Sequence, residues 1–375
     1  MSDYPKDWEE VKLVDIPIQI KKGDLITKKE IANGKIPVIA GGKSPAYYCN
    51  RYNREGTTIT VSASGANAGY VNLFYGQIFA SDCSTIEEDR SYCIEYIYYL
   101  MAKEQENIYK LQTGGAQPHV HPKDIKKLEI IYSRNIEEQK SIAETLMTFD
   151  RHIENLEKLI EKKKMIRDGA VEDLMTGKTR LDGFDGEWEK LLLGDIFKIN
   201  MCKRVFSYQT VKNGKIPFFK IGTFGKKADA YISEELFNQY KHLYPYPSKG
   251  DSLISASGSI GKIVVYNGEN SYYQDSNIVW LKTNLNIVDK SFLYFYLRTF
   301  PWKITEGTTI KRLYNNIILE TEINLPTDIK EQQAIASILT SMDEEIENLE
   351  KEKAKIEKIK AGAMDDLLTG RVRLI

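Results

Sequence analysis

Eight lysine or arginine side chains fall between residues 196 and 228 with no acidic residue among them: Lys198, Lys203, Arg204, Lys212, Lys215, Lys220, Lys226 and Lys227. Cations at that density hold phosphate oxygens. Phe206, Tyr208, Gln209 and Asn213 lie between them, and amides and guanidinium groups can read base edges. Residues 31–54 repeat the pattern with Lys35, Lys43, Arg51 and Arg54, again without an acid. Tyr47, Tyr48, Asn50, Tyr52 and Asn53 are interleaved there. Either stretch alone also fits a solvated basic face. Two of them favour nucleic acid, and Lys43, Tyr47, Tyr48, Arg51, Lys203, Arg204, Lys220, Lys226 and Lys227 stand as contact candidates.

Two further pairs of segments carry polar groups. Ser62-Ala63-Ser64-Gly65 returns as Ser255-Ala256-Ser257-Gly258, and small residues there permit close backbone approach to a neighbour or a ligand. Ser64 and Ser257, with nearby Asn67 and Ser259, join the candidates. Gly114-Gly115-Ala116-Gln117-Pro118-His119 aligns with Gly307-Thr308-Thr309-Ile310-Lys311-Arg312. One reading puts Gln117, His119, Lys311 and Arg312 at a ligand, and the other makes both segments surface turns.

Other chemistry fails on spacing. Gly177-Lys178-Thr179 resembles the end of a phosphate loop, but Glu172 stands where its first glycine belongs. His119-x-His121 has no further ligands at metal spacing. The serines lie in no GxSxG elbow, no dinucleotide fingerprint follows a strand, and no Pro-Pro pair supports a methyltransferase tetrapeptide. Cys49, Cys83, Cys93 and Cys202 form no CxxC pair and fit reduced thiols in a cytoplasmic protein. No apolar run reaches the roughly 18–20 residues of a membrane span. Catalysis and metal binding are therefore not expected in the chain.

The elements that position the candidates come in two copies. Residues 138–181 match residues 331–374 at a constant offset of 193, with about half the positions identical. Ile142, Leu146, Phe149, Ile153 and Leu156 repeat at 4,3 spacing, as do Ile335, Leu339, Met342, Ile346 and Leu349. That is a heptad seam on a helix of about 38 residues, or roughly 55–60 Å. With two such helices in one chain, antiparallel pairing is the economical expectation, leaving a module at each end of a rod. The segments ending in Gly177 and Gly370 read as helix C-caps, and the repeated tails as surface available to a repeated partner. A chain with two similar halves commonly meets a partner with two halves.

Trp8 and Trp188 open the two modules, and Asn33-Gly34-Lys35-Ile36-Pro37 returns as Asn213-Gly214-Lys215-Ile216-Pro217. Strands are expected at 36–39, 57–61, 78–80, 216–220, 252–254, 262–266 and 278–282, with helices at 93–110 and 290–300. Each module thus reads as a small α/β unit with a curved, mainly antiparallel sheet. The expected organisation is α+β: modules over 1–136 and 182–329, long helices over 137–181 and 330–375. Hydrophobic residues at 42% suffice for packed cores, and a net charge of −1 argues against non-specific coating of DNA.

This order resembles the specificity (S) subunit of type I restriction-modification enzymes. The carriers are Glu138-Gln139, Ile142-Ala143, Leu146, Asp150 and Ile153, with their counterparts Glu331-Gln332, Ile335-Ala336, Leu339, Asp343 and Ile346. Leu174-Met175-Thr176-Gly177, Leu367-Leu368-Thr369-Gly370, Trp8 and Trp188 complete the resemblance, which covers essentially the whole chain. It implies two target-recognition domains, each reading one half of a split DNA site. It also implies docking of two methyltransferase (M) subunits, which recruit restriction (R) subunits. S-adenosylmethionine would belong to M, and ATP and Mg to R, leaving no cofactor in this chain. The alternative is a coiled-coil adaptor whose modules bind protein.

Overall fold

The computed structural model describes residues 4–27, 30–282, 286–302 and 311–374. The first module holds strands β1 (Trp8–Lys12), β2 (Lys21–Lys22), β3 (Ile31–Ile39), β4 (Tyr47–Cys49), β5 (Thr57–Ser62), β6 (Val71–Tyr75), β7 (Phe79–Ala80), β8 (Cys83–Glu87) and β9 (Glu129–Ser133). Its helices are α1 (Ile94–Lys103), α2 (Gln105–Lys110) and α3 (Pro122–Ile125), and the long helix α4 (Ile136–Met175) follows. The second module holds β10 (Trp188–Leu192), β11 (Lys198–Met201), β12 (Ile216–Phe219), β13 (Tyr231–Ile232), β14 (Ser252–Ser255), β15 (Ile263–Val265), β16 (Tyr272–Tyr273), β17 (Ile278–Lys282) and β18 (Glu322–Pro326). Its helices are α5 (Leu193–Ile196), α6 (Glu234–Leu243), α7 (Lys290–Thr299) and α8 (Asn315–Leu319), and the long helix α9 (Ile329–Leu367) follows.

Among the described residues the expected single sheet per module is instead three small sheets. The four-stranded ones run β2-β8-β5-β6 and β11-β17-β14-β15, in the same order. β5 is β-branched at every position but Ser62 and is buried along its whole length, as a central strand requires. The three-stranded sheets each contain a parallel pair: Val38 faces Phe79, and Phe218 faces Tyr272. The helix expected over 93–110 breaks at Glu104 into α1 and α2.

By internal contacts the chain forms two compact units. One takes in the chain up to Lys158 together with Glu350 onward, and the other spans Leu159–Leu349. In each unit the long helices run antiparallel. In the first, Glu157 pairs with Lys353 at 2.7 Å, and Asp150 pairs with Lys360. In the second, Lys163 pairs with Glu345 at 2.7 Å and Arg167 with Asp343 at 2.5 Å. The expected antiparallel coiled coil is therefore present.

Of the seam residues, Ile142, Leu146, Leu156, Ile335, Leu339 and Ile346 are buried. Phe149, Ile153, Met342 and Leu349 are half-buried. The seam does more than join helices. Ile142 and Leu146 enter the first module's core beside Ile59, Ile97 and Met101, and Ile335 and Leu339 enter the second's beside Phe292 and Leu325.

The repeated tails are fastenings, not free surface as expected. Leu174, Met175, Leu367 and Leu368 are buried. Gly177 and Gly370 sit at φ 71° and 72°, which supports the C-cap reading. A Cβ on Gly177 would lie 3.4 Å from the Trp188 ring, and one on Gly370 would lie 2.6 Å from Pro5. Arg180 then reaches Glu331 at 2.7 Å, and Arg373 reaches Glu138 in the same way. Trp8 Nε1 also donates to Glu138 at 3.0 Å. Gln139 and Gln332 are fully buried and each accepts a backbone N–H; Gln139 donates to the Ser133 carbonyl and the Tyr132 hydroxyl, and Gln332 to the carbonyls of Ile287 and Pro326. The Glu-Gln pair and the Arg-Leu tail are thus two ends of one buried polar clamp, formed once in each unit. Among the described residues no helix is long and apolar enough to cross a membrane.

Candidate nucleic-acid interface

In the first module three loops converge on the end of β5. Ala63 O accepts the Val120 N–H at 3.0 Å, and Gly65 N–H donates to Pro118 O at 3.0 Å. Thr113 and His119 exchange backbone bonds of 2.9 and 2.8 Å, closing the loop that carries Gln117. From the other side Gly41 packs beneath Ser64, where a Cβ would lie 2.4 Å from the Ser64 carbonyl oxygen. The close approach expected of the small-residue segment is therefore to neighbouring backbone. It brings Lys43, Ser64, Asn67, Gln117 and His119 onto adjoining loops. Lys43 is exposed, with its ammonium 5.0 Å from the Tyr70 ring centroid. Gln117 is exposed, while Ser64, Asn67 and His119 are half-buried.

Tyr47 and Tyr48 lie on β4 at the edge of the three-stranded sheet, each 52% exposed, on opposite faces by strand alternation. Arg51 is less free than its stretch suggested. It pairs with Glu30 at 2.6 Å and lies 4.7 Å from the Phe79 ring centroid. Arg54 is buried and bonds Thr85 and the carbonyls of Asn53 and Lys22, so this member of the basic stretch is structural.

Among the described residues the second module repeats part of the arrangement with different side chains, and Gly307, Thr308, Thr309 and Ile310 lie outside those residues. Leu313 N–H donates to Ala256 O at 2.8 Å, the counterpart of the Val120–Ala63 bond. Gly258 lies against Ile221, 3.2 Å from the position of its absent Cβ. Ser257 Oγ donates to Asn277 Oδ1 at 3.0 Å, and Arg312 Nη2 donates to Ser276 O at 2.5 Å. Ser259, Lys311, Lys226 and Lys227 are exposed. Lys220 pairs with Asp229 at 2.8 Å, and Lys203 lies 4.9 Å from the Tyr244 ring centroid. Lys226 and Lys227 thus present charge to solvent, whereas Lys220 has an acid beside it.

Two acids belong to these loops that the basic stretches gave no reason to expect. Asp82 accepts a hydrogen bond from Ser64 Oγ. Asp275 accepts one from Arg204 Nε at 2.7 Å. The same offset of 193 relates Ser64 to Ser257, Asp82 to Asp275 and His119 to Arg312. The signal was present in the repeat, extended beyond the helices. Burial raises the Cys83 and Cys202 thiols to about 12, so neither is a thiolate nucleophile at neutral pH. No group of His, Cys, Asp and Glu among the described residues has the arrangement of a metal site.

The family model described as the type I restriction modification DNA specificity domain matches residues 5–163 and again residues 185–358. The chain belongs to this family. Its two modules with their helix segments are therefore two copies of the DNA specificity domain. A putative type I restriction enzyme specificity subunit of Haemophilus influenzae is 53% identical over 151 residues, spanning 40% of this chain and 39% of that protein. The MjaVIII specificity subunit of Methanocaldococcus jannaschii is 27% identical over 415 residues, covering 99% of this chain and 94% of its own. The crystal structure of a type I restriction-modification S subunit from M. genitalium superposes with a TM-score of 0.70 at 23% identity. It covers 98% of this chain and 97% of that one, and shows the same fold.

Proposed function

We propose that the chain is the specificity subunit of a type I restriction-modification complex, with each module reading one half of a bipartite duplex site. The observation that carries this reading is the repeated loop face. Backbone bonds at Ala63 and Ala256 build it twice, yet the side chains it presents differ: Gln117 and His119 in one module, Lys311 and Arg312 in the other. One scaffold with two sets of donors and acceptors suits two different half-sites. Exposed Lys43, Lys226 and Lys227 would hold phosphates. The half-buried polar groups at the loop tips would meet base edges. A protein-binding adaptor gives no reason for cations on both faces.

The chain itself would carry no catalytic step and would work in the cytoplasm. The long helices would dock two M subunits, which supply S-adenosylmethionine chemistry, and R subunits would bring ATP and Mg. Binding of labelled duplex to the chain with its M partner, measured at several salt concentrations, tests the reading. Salt-dependent binding with a preferred bipartite sequence supports it. Methyl transfer by the purified single chain would overturn the non-catalytic assignment.

A further inference from the structure

Asp275 is out of place on a phosphate-binding face. A carboxylate repels phosphate, yet this one lies in the turn between β16 and β17, whose Asn277 bonds Ala256 and Ser257 of the neighbouring loop. Its partner, Arg204, is 60% exposed while Asp275 is 17% exposed, so the guanidinium is the more open member of the pair. An ion pair that open to water contributes little to stability. It does fix direction. Arg204 Nε donates to Asp275 Oδ2 at 2.7 Å, a bond that does not engage the Nη groups. Near-neutral pairs gain little from a phosphate, because the acid offsets the attraction. They retain a rigid two-pronged donor, the group that matches the O6 and N7 acceptors of guanine in the major groove.

We infer that Arg204, held by Asp275, reads a guanine in the half-site of the second module. The assignment rests on the specificity reading above and sharpens it to one base and one residue. Asp275 is a positioning residue here, acting through Arg204. The first module has the equivalent acid, Asp82, but a serine hydroxyl in place of the guanidinium. The two half-sites should therefore differ at this position.

The test is sequence selection from a randomised duplex library by the complex of this chain with its M subunits. Wild type is compared with Arg204→Ala, Arg204→Lys and Asp275→Asn, with thermal melts confirming that each variant is folded. The wild-type half-site should contain a guanine whose preference falls roughly 5- to 150-fold in Arg204→Ala. The other half-site should be unchanged. Arg204→Lys should keep overall affinity and weaken the preference less than Arg204→Ala, since an ammonium still donates to O6 and N7 but lacks the planar fork. Asp275→Asn should relax it at that position too. An even loss across all sequences would make Arg204 a phosphate contact and overturn the assignment, as would an unchanged guanine. A wild-type complex without any sequence preference would instead remove the reading beneath it.

Discussion

Lys360 of the second long helix bonds Asp150 of the first, and 193 residues away the same bond recurs with the helices exchanged, between Arg167 and Asp343. Each acid has a second partner from its module. Tyr99 donates its hydroxyl to Asp150 at 2.5 Å, and Arg298 reaches Asp343 at 3.2 Å. Burial first, then Asp150, pushes the Tyr99 phenol well up, so it stays a donor throughout the neutral range. A polar pair at a fixed place in an apolar seam selects one register and orientation.

That relationship predicts a measurable coupling. In a double-mutant cycle with Asp150→Ala and Lys360→Ala, the pair should contribute about 0.5–1 kcal/mol, shrinking as salt rises. Urea unfolding at low and high salt measures it. Coupling within error of zero at low salt would remove the pair from register setting.

The clamp at Glu138 should matter more. Glu138 is 1% exposed, and Arg373 is the cation opposite it. Arg373→Ala leaves that carboxylate buried with only the Trp8 and Ser133 donors, and should cost about 3 kcal/mol. Arg180→Ala should act similarly through Glu331. Equilibrium unfolding would contradict this if either variant lost under 0.5 kcal/mol.

The same tail carries a pH signature. The hydrogen bond from Arg373 holds the Asp7 carboxyl below its ordinary 3.8, and Arg371, then Lys103, does the same for Asp365. A depressed carboxylate stabilises the fold only while ionised. Its contribution is complete above the unfolded value and is lost as pH falls through the lower folded one. The gap in melting temperature between wild type and Asp7→Asn should therefore hold from pH 8 to about 5 and close below about 4. A gap that widened in acid would contradict the assignment.

Lys226 and Lys227 are exposed, and neutralising both should weaken binding on specific and non-specific duplex alike. The slope of log affinity against log salt should flatten by roughly 1 for each lost contact. An unchanged slope would move this turn off the DNA.

How far the sequence reached depended on the range of each contact. The heptads and the repeated Glu-Gln and Arg-Leu pairs were legible because their spacing is local. Their union in one clamp was not, since Glu138 and Arg373 meet only when the helices lie antiparallel. Charge runs misled where folding buried a member. Arg54 looked like its neighbours but faces Thr85, 31 residues on. Lys220 and Arg51 stay open to solvent and pair with acids just outside the acid-free stretches that first drew attention to them. Asp82 and Asp275 escaped notice because an acid in a loop acquires meaning only from what stands beside it. The break at Glu104 falls within Lys103-Glu104-Gln105-Glu106-Asn107, a polar run that interrupts the apolar pattern between Met101 and Ile108.

The central claim is that each module reads its own half-site. Residues 182–329 would be replaced by the matching module of a relative, and the methylated sequence determined in cells carrying the M partner. The account predicts that one half of the bipartite site changes and the other is retained base for base. A change in both halves, or in neither, would contradict it.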